Sequence, residues 1–221
     1  MTLEQYLASI QQDGLEINTV YDIGANNGAW SYTLKNSVLR NSYFYLFEGN
    51  PVHEARLNAI GLPYFIGILS KPGVESVDYY LGNTTGDSYY RENTPVYDDV
   101  KPTTMPAYTL DSIVAEAELP APNFIKIDTQ GSEIDILHGA ESILSDVDLI
   151  YLECPLGTYN VGAPTIQTYL DFMAKHNFMP SDVCAVPVDS DRTLVQIDIM
   201  FINMKTKERL YGAHHSSRFI A

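Results

Sequence analysis

Basic side chains are scarce in this chain of 221 residues: 13 Lys and Arg stand against 28 Asp and Glu, a formal net charge of −15. Phosphate binding needs clustered Lys and Arg, and no basic run occurs, which argues against DNA, RNA or an anionic membrane as partner. The acidity favours solubility and suits a neutral or cationic ligand. Cysteine is nearly missing as well. Cys154 and Cys184 are the only two, too few for a disulfide framework or a thiolate zinc site. Cys154 ends an apolar run and reads as a small buried residue. No apolar run reaches the roughly 18 residues of a membrane span, and Met1–Ile10 lacks the charged start and apolar core of a signal peptide. The expectation is a soluble, cytoplasmic protein. Tyrosine, by contrast, is abundant at 16 residues. Tyr79, Tyr80, Tyr89, Tyr90 and Tyr97 crowd one stretch, either lining a site for a polar ligand or forming a tyrosine-rich sheet face.

The length fits a single domain over residues 1–221. Its organising stretch is VYDIGANNGAW, Val20 to Trp30. A short apolar strand, Thr19 to Ile23, breaks into a loop with Gly24 and Gly28, and a helix follows. Glycine at these positions allows a sharp turn and close ligand approach. The dinucleotide fingerprint G-x-G-x-x-G is incomplete, because Ala25 and Asn26 stand where its middle glycine would be. Asp22, just before Gly24, would repel a pyrophosphate and suits an ammonium or a hydroxyl. Both points argue against a nicotinamide-dependent oxidoreductase.

Leu3, Tyr6, Leu7 and Ile10 recur at helical spacing, so Thr2 to Gln12 reads as an amphipathic helix capped by Thr2 and stopped by Gly14. Trp30 to Leu39 is the next helix. The apolar run YFYLF, Tyr43 to Phe47, reads as a strand buried on both faces of a parallel sheet. It ends at Glu48, about 20 residues past the glycine loop, where an acid in nucleotide-binding α/β folds accepts from ribose hydroxyls. Asn50 and Pro51 open another helix. Pro63 to Leu69 is a third strand ending at Ser70. Residues 71–108 read as an irregular insertion, partly hairpin, with a strand over Val77 to Leu81, and it is expected near an acceptor site. Thr109-Leu110-Asp111 starts a helix to about Glu118. Asn123 to Asp128 is the fourth strand, Thr129 to Glu133 a turn into a helix, and Val147 to Glu153 the fifth strand. A helix over Ile166 to Lys175 precedes two strands, Val183 to Val188 and Leu194 to Asn203, joined by the turn Asp189–Arg192. With no helix between them these two are antiparallel. The fold class is α/β, a mostly parallel sheet with helices on both faces and a C-terminal antiparallel hairpin.

The glycine loop resembles the first motif of class I S-adenosylmethionine-dependent methyltransferases, and the chain as a whole resembles the FkbM family. The residues that carry the resemblance are VYDIGANNGAWS, LFEGNP, the turn Gly86-Asp87-Ser88, TLDSI, IDIMFIN and, most specifically, IKIDTQGSEIDILHGA. LFEGNP departs from the family's habit of an acid followed directly by a Pro-rich start. The resemblance implies a Rossmann-like sheet of order 3-2-1-4-5-7-6. It also implies methyl transfer from S-adenosyl-L-methionine to an oxygen of a sugar or similar polyhydroxylated small molecule. Transfer to a nitrogen or carboxylate, or an inactive cofactor-binding module, are the alternatives.

An alcohol attacks poorly while protonated, so it calls for a general base or a metal. In an open α/β sheet the site lies at the carboxyl ends of the strands, where Asp22, Glu48, Asp128 and Glu153 all stand. Asp22 and Glu48 are expected to hold the cofactor, with Gly24, Ala25, Asn26 and Gly28 giving backbone contacts and Ser70 and Asp87 reaching its adenosine or methionine part. Asp128 is the expected base or metal ligand, with Glu153 as its neighbour. Such a pair either shares a proton or holds Mg²⁺ or Mn²⁺. Thr129 and Gln130 are candidate acceptor contacts, and Glu133 a favourable acid in a helix first turn. His53 is a candidate for the cleft. His138 reads as packed, and His214 and His215 as a solvated tail.

Overall fold

The computed structural model describes residues 1–82, 84–157, 160–187 and 193–212. The first helix, α1 (Leu3–Gln12), starts at Thr2, whose hydroxyl accepts from the Gln5 N–H while the Gln5 side chain accepts from the Thr2 N–H. This reciprocal cap satisfies two otherwise orphaned donors. Strand β1 (Thr19–Ile23) is buried along its whole length. Helix α2 (Ala29–Lys35) ends four residues short of Leu39, and the Lys35 ammonium donates to the carbonyls of Ser42 and Arg40 beyond it, at 2.7 and 3.0 Å. Strand β2 (Tyr43–Glu48), helix α3 (Glu54–Ile60) and strand β3 (Tyr64–Ile66) follow.

The expected third strand is split at Gly67, whose N–H donates to the Glu48 carbonyl at 2.9 Å. There the chain leaves the main sheet. Strand β4 (Ile68–Leu69) joins β5 (Ser76–Tyr79) and β6 (Thr103–Tyr108) in a separate sheet of order β4-β6-β5. Within the insertion β5 and β6 are antiparallel, with Ser76 opposite Pro106 and Tyr79 opposite Thr103. Strand β6 was not foreseen: TTMPAY is polar and carries a proline, and it pairs at a minor sheet that composition does not announce.

Helix α4 (Leu110–Glu116) is capped by the Thr109 hydroxyl, which accepts from the Ser112 N–H at 3.1 Å. Strand β7 (Phe124–Ile127), helix α5 (Glu133–His138), strand β8 (Leu149–Pro155) and helix α6 (Ile166–Lys175) come next. The last two strands are β9 (Phe178–Ala185) and β10 (Gln196–Asn203). β9 starts earlier than expected because Phe178 is buried and pairs with Asn203. The turn Asp189–Arg192 lies outside the described residues. A polar final helix, α7 (Met204–Tyr211), had no apolar periodicity to reveal it. It is held by Asp148, which accepts from Thr206 and from Arg209.

The main sheet runs β3-β2-β1-β7-β8-β10-β9, which is 3-2-1-4-5-7-6 when its strands are counted along the chain. β10 is antiparallel to both neighbours. Both faces are covered, so the central strands are apolar without alternation. One face packs Ile23, Ile127, Leu152, Leu137 and Phe172, and the other packs Leu7, Val20, Phe124 and Met200. Burying a side chain of this size contributes about 1.5–3 kcal/mol. Among the described residues no helix is long and apolar enough to cross a membrane.

Candidate functional site

The register of the sheet lines up its strand ends. Ile23 lies opposite Phe47 and Ile127, and Ile127 opposite Leu152. One residue further, Glu48, Gly24, Asp128 and Glu153 form a row across four adjacent parallel strands, and Asp198 continues it opposite Glu153. A cleft of about 530 Å³ opens above this row. Its walls include Asn26, Glu48, Asp87, Lys126, Asp128 and Glu153. Beside it, a smaller apolar recess is lined by Phe47, Ile68, Tyr79 and Tyr89, with Gly24 and Glu48 forming its border with the cleft.

The glycine loop is shaped by the strand beside it. The N–H groups of Gly24 and Ala25 both donate to the Phe47 carbonyl, at 2.9 and 3.0 Å. Gly24 has φ +73°, and a Cβ there would fall 1.9 Å from the Asp128 carbonyl oxygen. Asn26 is also left-handed, at φ +50°. Glu48 fixes the same loop: one carboxylate oxygen accepts from the Asn26 N–H at 2.6 Å, the other from the Asn50 N–H at 2.7 Å. Burial pushes the Glu48 carboxyl up in pKa, and these two backbone N–H groups pull it down. Each oxygen keeps a further lone pair for a ligand hydroxyl.

Three expected ligand contacts are placed elsewhere. Asp22 is fully buried beneath the loop; its carboxylate accepts from the Ser31 hydroxyl at 2.6 Å and pairs with the Lys126 ammonium at 3.0 Å. The ammonium it suits is supplied by the chain itself. Gly28 turns towards α3, where a Cβ would meet Ile60 at 2.6 Å, so its glycine serves helix packing. Ser70 is buried behind Tyr89, with its hydroxyl 3.4 Å from the tyrosine oxygen, and lines neither recess. Asp87 does reach the cleft, but as an organiser. It accepts from the Gly82 N–H, the Tyr97 hydroxyl and the Asn50 amide, each at 2.7 Å, tying the insertion to the turn after β2. His53 lines the cleft. His138 packs edge-on to Phe172 and hydrogen-bonds Glu141, away from the row. His214 and His215 lie outside the described residues.

Asp128 and Glu153 are brought together. The Gln130 amide bridges them, donating to Asp128 at 3.1 Å and to Glu153 at 2.8 Å. Gln130 adopts φ +57°, an uncommon backbone for a residue with a side chain. The turn is held in that shape by Glu133, whose buried carboxylate accepts from the N–H groups of Thr129 and Gly131, at 2.8 and 3.0 Å, and from the Tyr169 hydroxyl. Glu133 is therefore more than a helix-end acid. Among the described residues no group of three or more His, Cys, Asp or Glu is placed to hold a metal ion. The expected Mg²⁺ or Mn²⁺ at Asp128 and Glu153 finds no support in this donor set.

The environments of the two acids differ. Asp128 keeps its side chain 40% exposed and lies 3.6 Å from Lys126. Burial, then the carboxylates of Asp128, Glu133 and Asp198, push Glu153 up to about 9. Asp198, one of the residues the sequence did not single out, is raised chiefly by burial. Lys126 was also missed. Burial alone would pull its ammonium down, but Asp22 and Asp128 carry it to about 12. It also donates to the Gly24 carbonyl at 2.8 Å and sits 5.7 Å from the centre of the Trp30 ring. A lysine inside the apolar strand NFIKID, at the register of Asp22 one strand away, was the available signal.

The raised Glu153 has a consequence for stability. Its ordinary value is 4.5 and its folded value about 9. Between the two the folded chain holds this proton and the unfolded chain does not, so its contribution falls as pH rises and is gone above the folded value. Glu153→Gln is expected to flatten the fall in melting temperature between about pH 5 and about pH 9. Equal slopes in variant and parent would refute the assignment.

A sheet of this order, with a glycine loop after its first strand and an acid closing its second, is the Rossmann-like sheet of class I methyltransferases. The particular family follows from a match to the family model described as "Methyltransferase FkbM domain", over residues 22–180. The chain belongs to the FkbM methyltransferases, which use S-adenosylmethionine. No curated protein matches it. Among solved structures it is similar to a cofactor-bound protein from MTB, with a TM-score of 0.54 and 10% identity over 91% of this chain and 78% of that one. It is similar to a putative O-methyltransferase from Klebsiella pneumoniae, with a TM-score of 0.50 and 13% identity over 90% and 79%. A methyltransferase FkbM from Methylobacillus flagellatus KT has a TM-score of 0.49 and 16% identity over 84% of this chain and 43% of its own length. The first two likenesses are of fold.

Proposed function

We propose that this protein is an O-methyltransferase acting on a hydroxyl of a sugar or similar polyhydroxylated small molecule. The observation that carries the reading is the half-exposed Asp128 carboxylate beside the half-buried Glu153, at the mouth of the cleft and next to the glycine loop. The donor set fits S-adenosylmethionine. Glu48 has acceptor capacity for two ribose hydroxyls, the recess of Ile68, Tyr79 and Tyr89 suits a flat base, and Gly24, Ala25 and Asn26 present backbone beside both. When bound, that cofactor supplies a methyl group already activated by the sulfonium charge.

The chain's own residues do the rest. Lys126 keeps a positive charge beside Asp128, and Glu153, its carboxyl pushed up by burial and by the neighbouring carboxylates, is the one that carries the proton. Asp128 accepts the proton of the acceptor hydroxyl at its exposed carboxylate. Gln130 holds the two acids in register, and Glu133 holds the turn that carries Gln130 through the N–H groups of Thr129 and Gly131. The remaining polar wall, Asn26, Asp87 and Gln196, offers hydrogen bonds of both kinds to a polyol. The surplus of acids on this wall favours a neutral or cationic acceptor over nucleic acid or another polyanion.

The reading is tested by calorimetric titration with S-adenosylmethionine and with NADH, on the parent and on Glu48→Ala and Glu48→Gln. Binding of S-adenosylmethionine alone is expected, weakened roughly tenfold or more by the alanine and less by the glutamine, which keeps an acceptor. Binding of NADH instead, or of neither, would sink the reading.

A further inference from the structure

Resting on the methyltransferase reading, we propose that Lys126 binds the carboxylate of the methyl donor's amino-acid end. That end is a zwitterion, and the cleft offers its two charges very different surroundings. Glu48, Asp87, Asp128 and Glu153 stand on the wall, and Lys126 is its one Lys or Arg among the described residues. Among the described residues an anionic group entering this cleft has no other Lys or Arg to meet.

The geometry of Lys126 fits the task. Its ammonium has three N–H donors. Two are hydrogen-bonded, to the Gly24 carbonyl at 2.8 Å and the Ile23 carbonyl at 3.4 Å. Asp22 at 3.0 Å and Asp128 at 3.6 Å are ion-pair contacts, which leaves one N–H for a ligand. Asp22, fully buried, anchors the ammonium from below, and Ser31 holds the other oxygen of Asp22. The lysine is thus fixed beside the glycine loop before any ligand arrives, and a contact it makes costs little side-chain entropy. The same arrangement removes Asp22 from direct contact with a ligand ammonium, because it is fully buried, with one oxygen bonded to Ser31 and the other against the Lys126 ammonium. The polarity of recognition is reversed relative to what the sequence suggests: a lysine meets an anion in place of an aspartate meeting a cation.

Calorimetry with three probes tests this: S-adenosylhomocysteine, the same molecule lacking its carboxylate, and methylthioadenosine, which lacks the whole amino-acid end. The parent protein is expected to prefer S-adenosylhomocysteine over its decarboxylated form by about tenfold or more. This comparison needs no variant to fold. Lys126→Met should erase that preference and leave methylthioadenosine within about twofold of the parent. Since Lys126→Met leaves Asp22 buried without its partner, the charge-balanced Asp22→Asn/Lys126→Met is measured beside it, with thermal melts to show that it folds. Equal affinity of the parent for the first two probes overturns the proposal. So does an equal loss for all three probes in the folded double variant, which would assign Lys126 to loop support alone. Should the parent bind none of the three, the methyltransferase reading fails and the proposal with it.

Discussion

Replacing Gly24 by alanine is expected to destabilise the protein by about 3–5 kcal/mol, among the largest effects open to a single methyl group. For a chain of this length that corresponds to a fall of roughly 6–20 °C in melting temperature. Two costs combine. The backbone at Gly24 has φ +73°, and the new Cβ would be driven to 1.9 Å from the Asp128 carbonyl oxygen. Backbone atoms on both sides have nowhere to move, because Gly24 and Asp128 are joined through neighbouring strands, Asp128 N–H donating to the Ile23 carbonyl at 3.1 Å. Gly73 supplies the control. It has φ +83° with nothing within 4 Å of an added Cβ, so Gly73→Ala should cost only the left-handed strain, about 1–2 kcal/mol. Thermal melts of the two variants side by side decide the matter. Equal losses would show that the approach of Gly24 to Asp128 carries no energy of its own.

The second large effect falls on turnover. Asp128→Asn is expected to slow methyl transfer to a hydroxyl by about 10²–10⁴-fold, the usual contribution of a positioned base. Affinity for S-adenosylhomocysteine should stay within about twofold, since the carboxylate's close partner is Gln130 rather than the glycine loop. The rate is followed with the best acceptor from a panel of sugars, and affinity by calorimetry. An asparagine variant that turns over at the parent rate would remove Asp128 from the base's role. A variant that loses cofactor affinity as sharply as rate would make Asp128 a binding residue.

How much of this was legible in the sequence depends on the range of the forces involved. α1, α6 and the central strands were readable because apolar spacing and a cap such as Thr2 act over a few residues. The strand-end acids Glu48, Asp128 and Glu153 were readable because an apolar run that stops at a carboxylate marks the edge of a sheet. Lys126 was not, because its meaning comes from Asp22, 104 positions earlier and one strand away, at a register set only by sheet pairing. The same holds for Glu133, whose partner Tyr169 sits on α6. Asp22, Gly28 and Ser70 were read as ligand contacts from their place beside motifs. Placement decided otherwise: the Asp22 carboxylate lies under the loop, the Gly28 backbone packs against α3, and the Ser70 hydroxyl lies against Tyr89.

Trp30 carries one more consequence. It is the chain's single tryptophan, and it forms part of the cleft wall next to Lys126. Indole emission from this protein therefore arises from one place, within the site itself. Changes in charge or polarity beside Lys126 alter the surroundings of that one indole. The molecule carries its own optical gauge of occupancy, and the affinities above can be followed in it without a label.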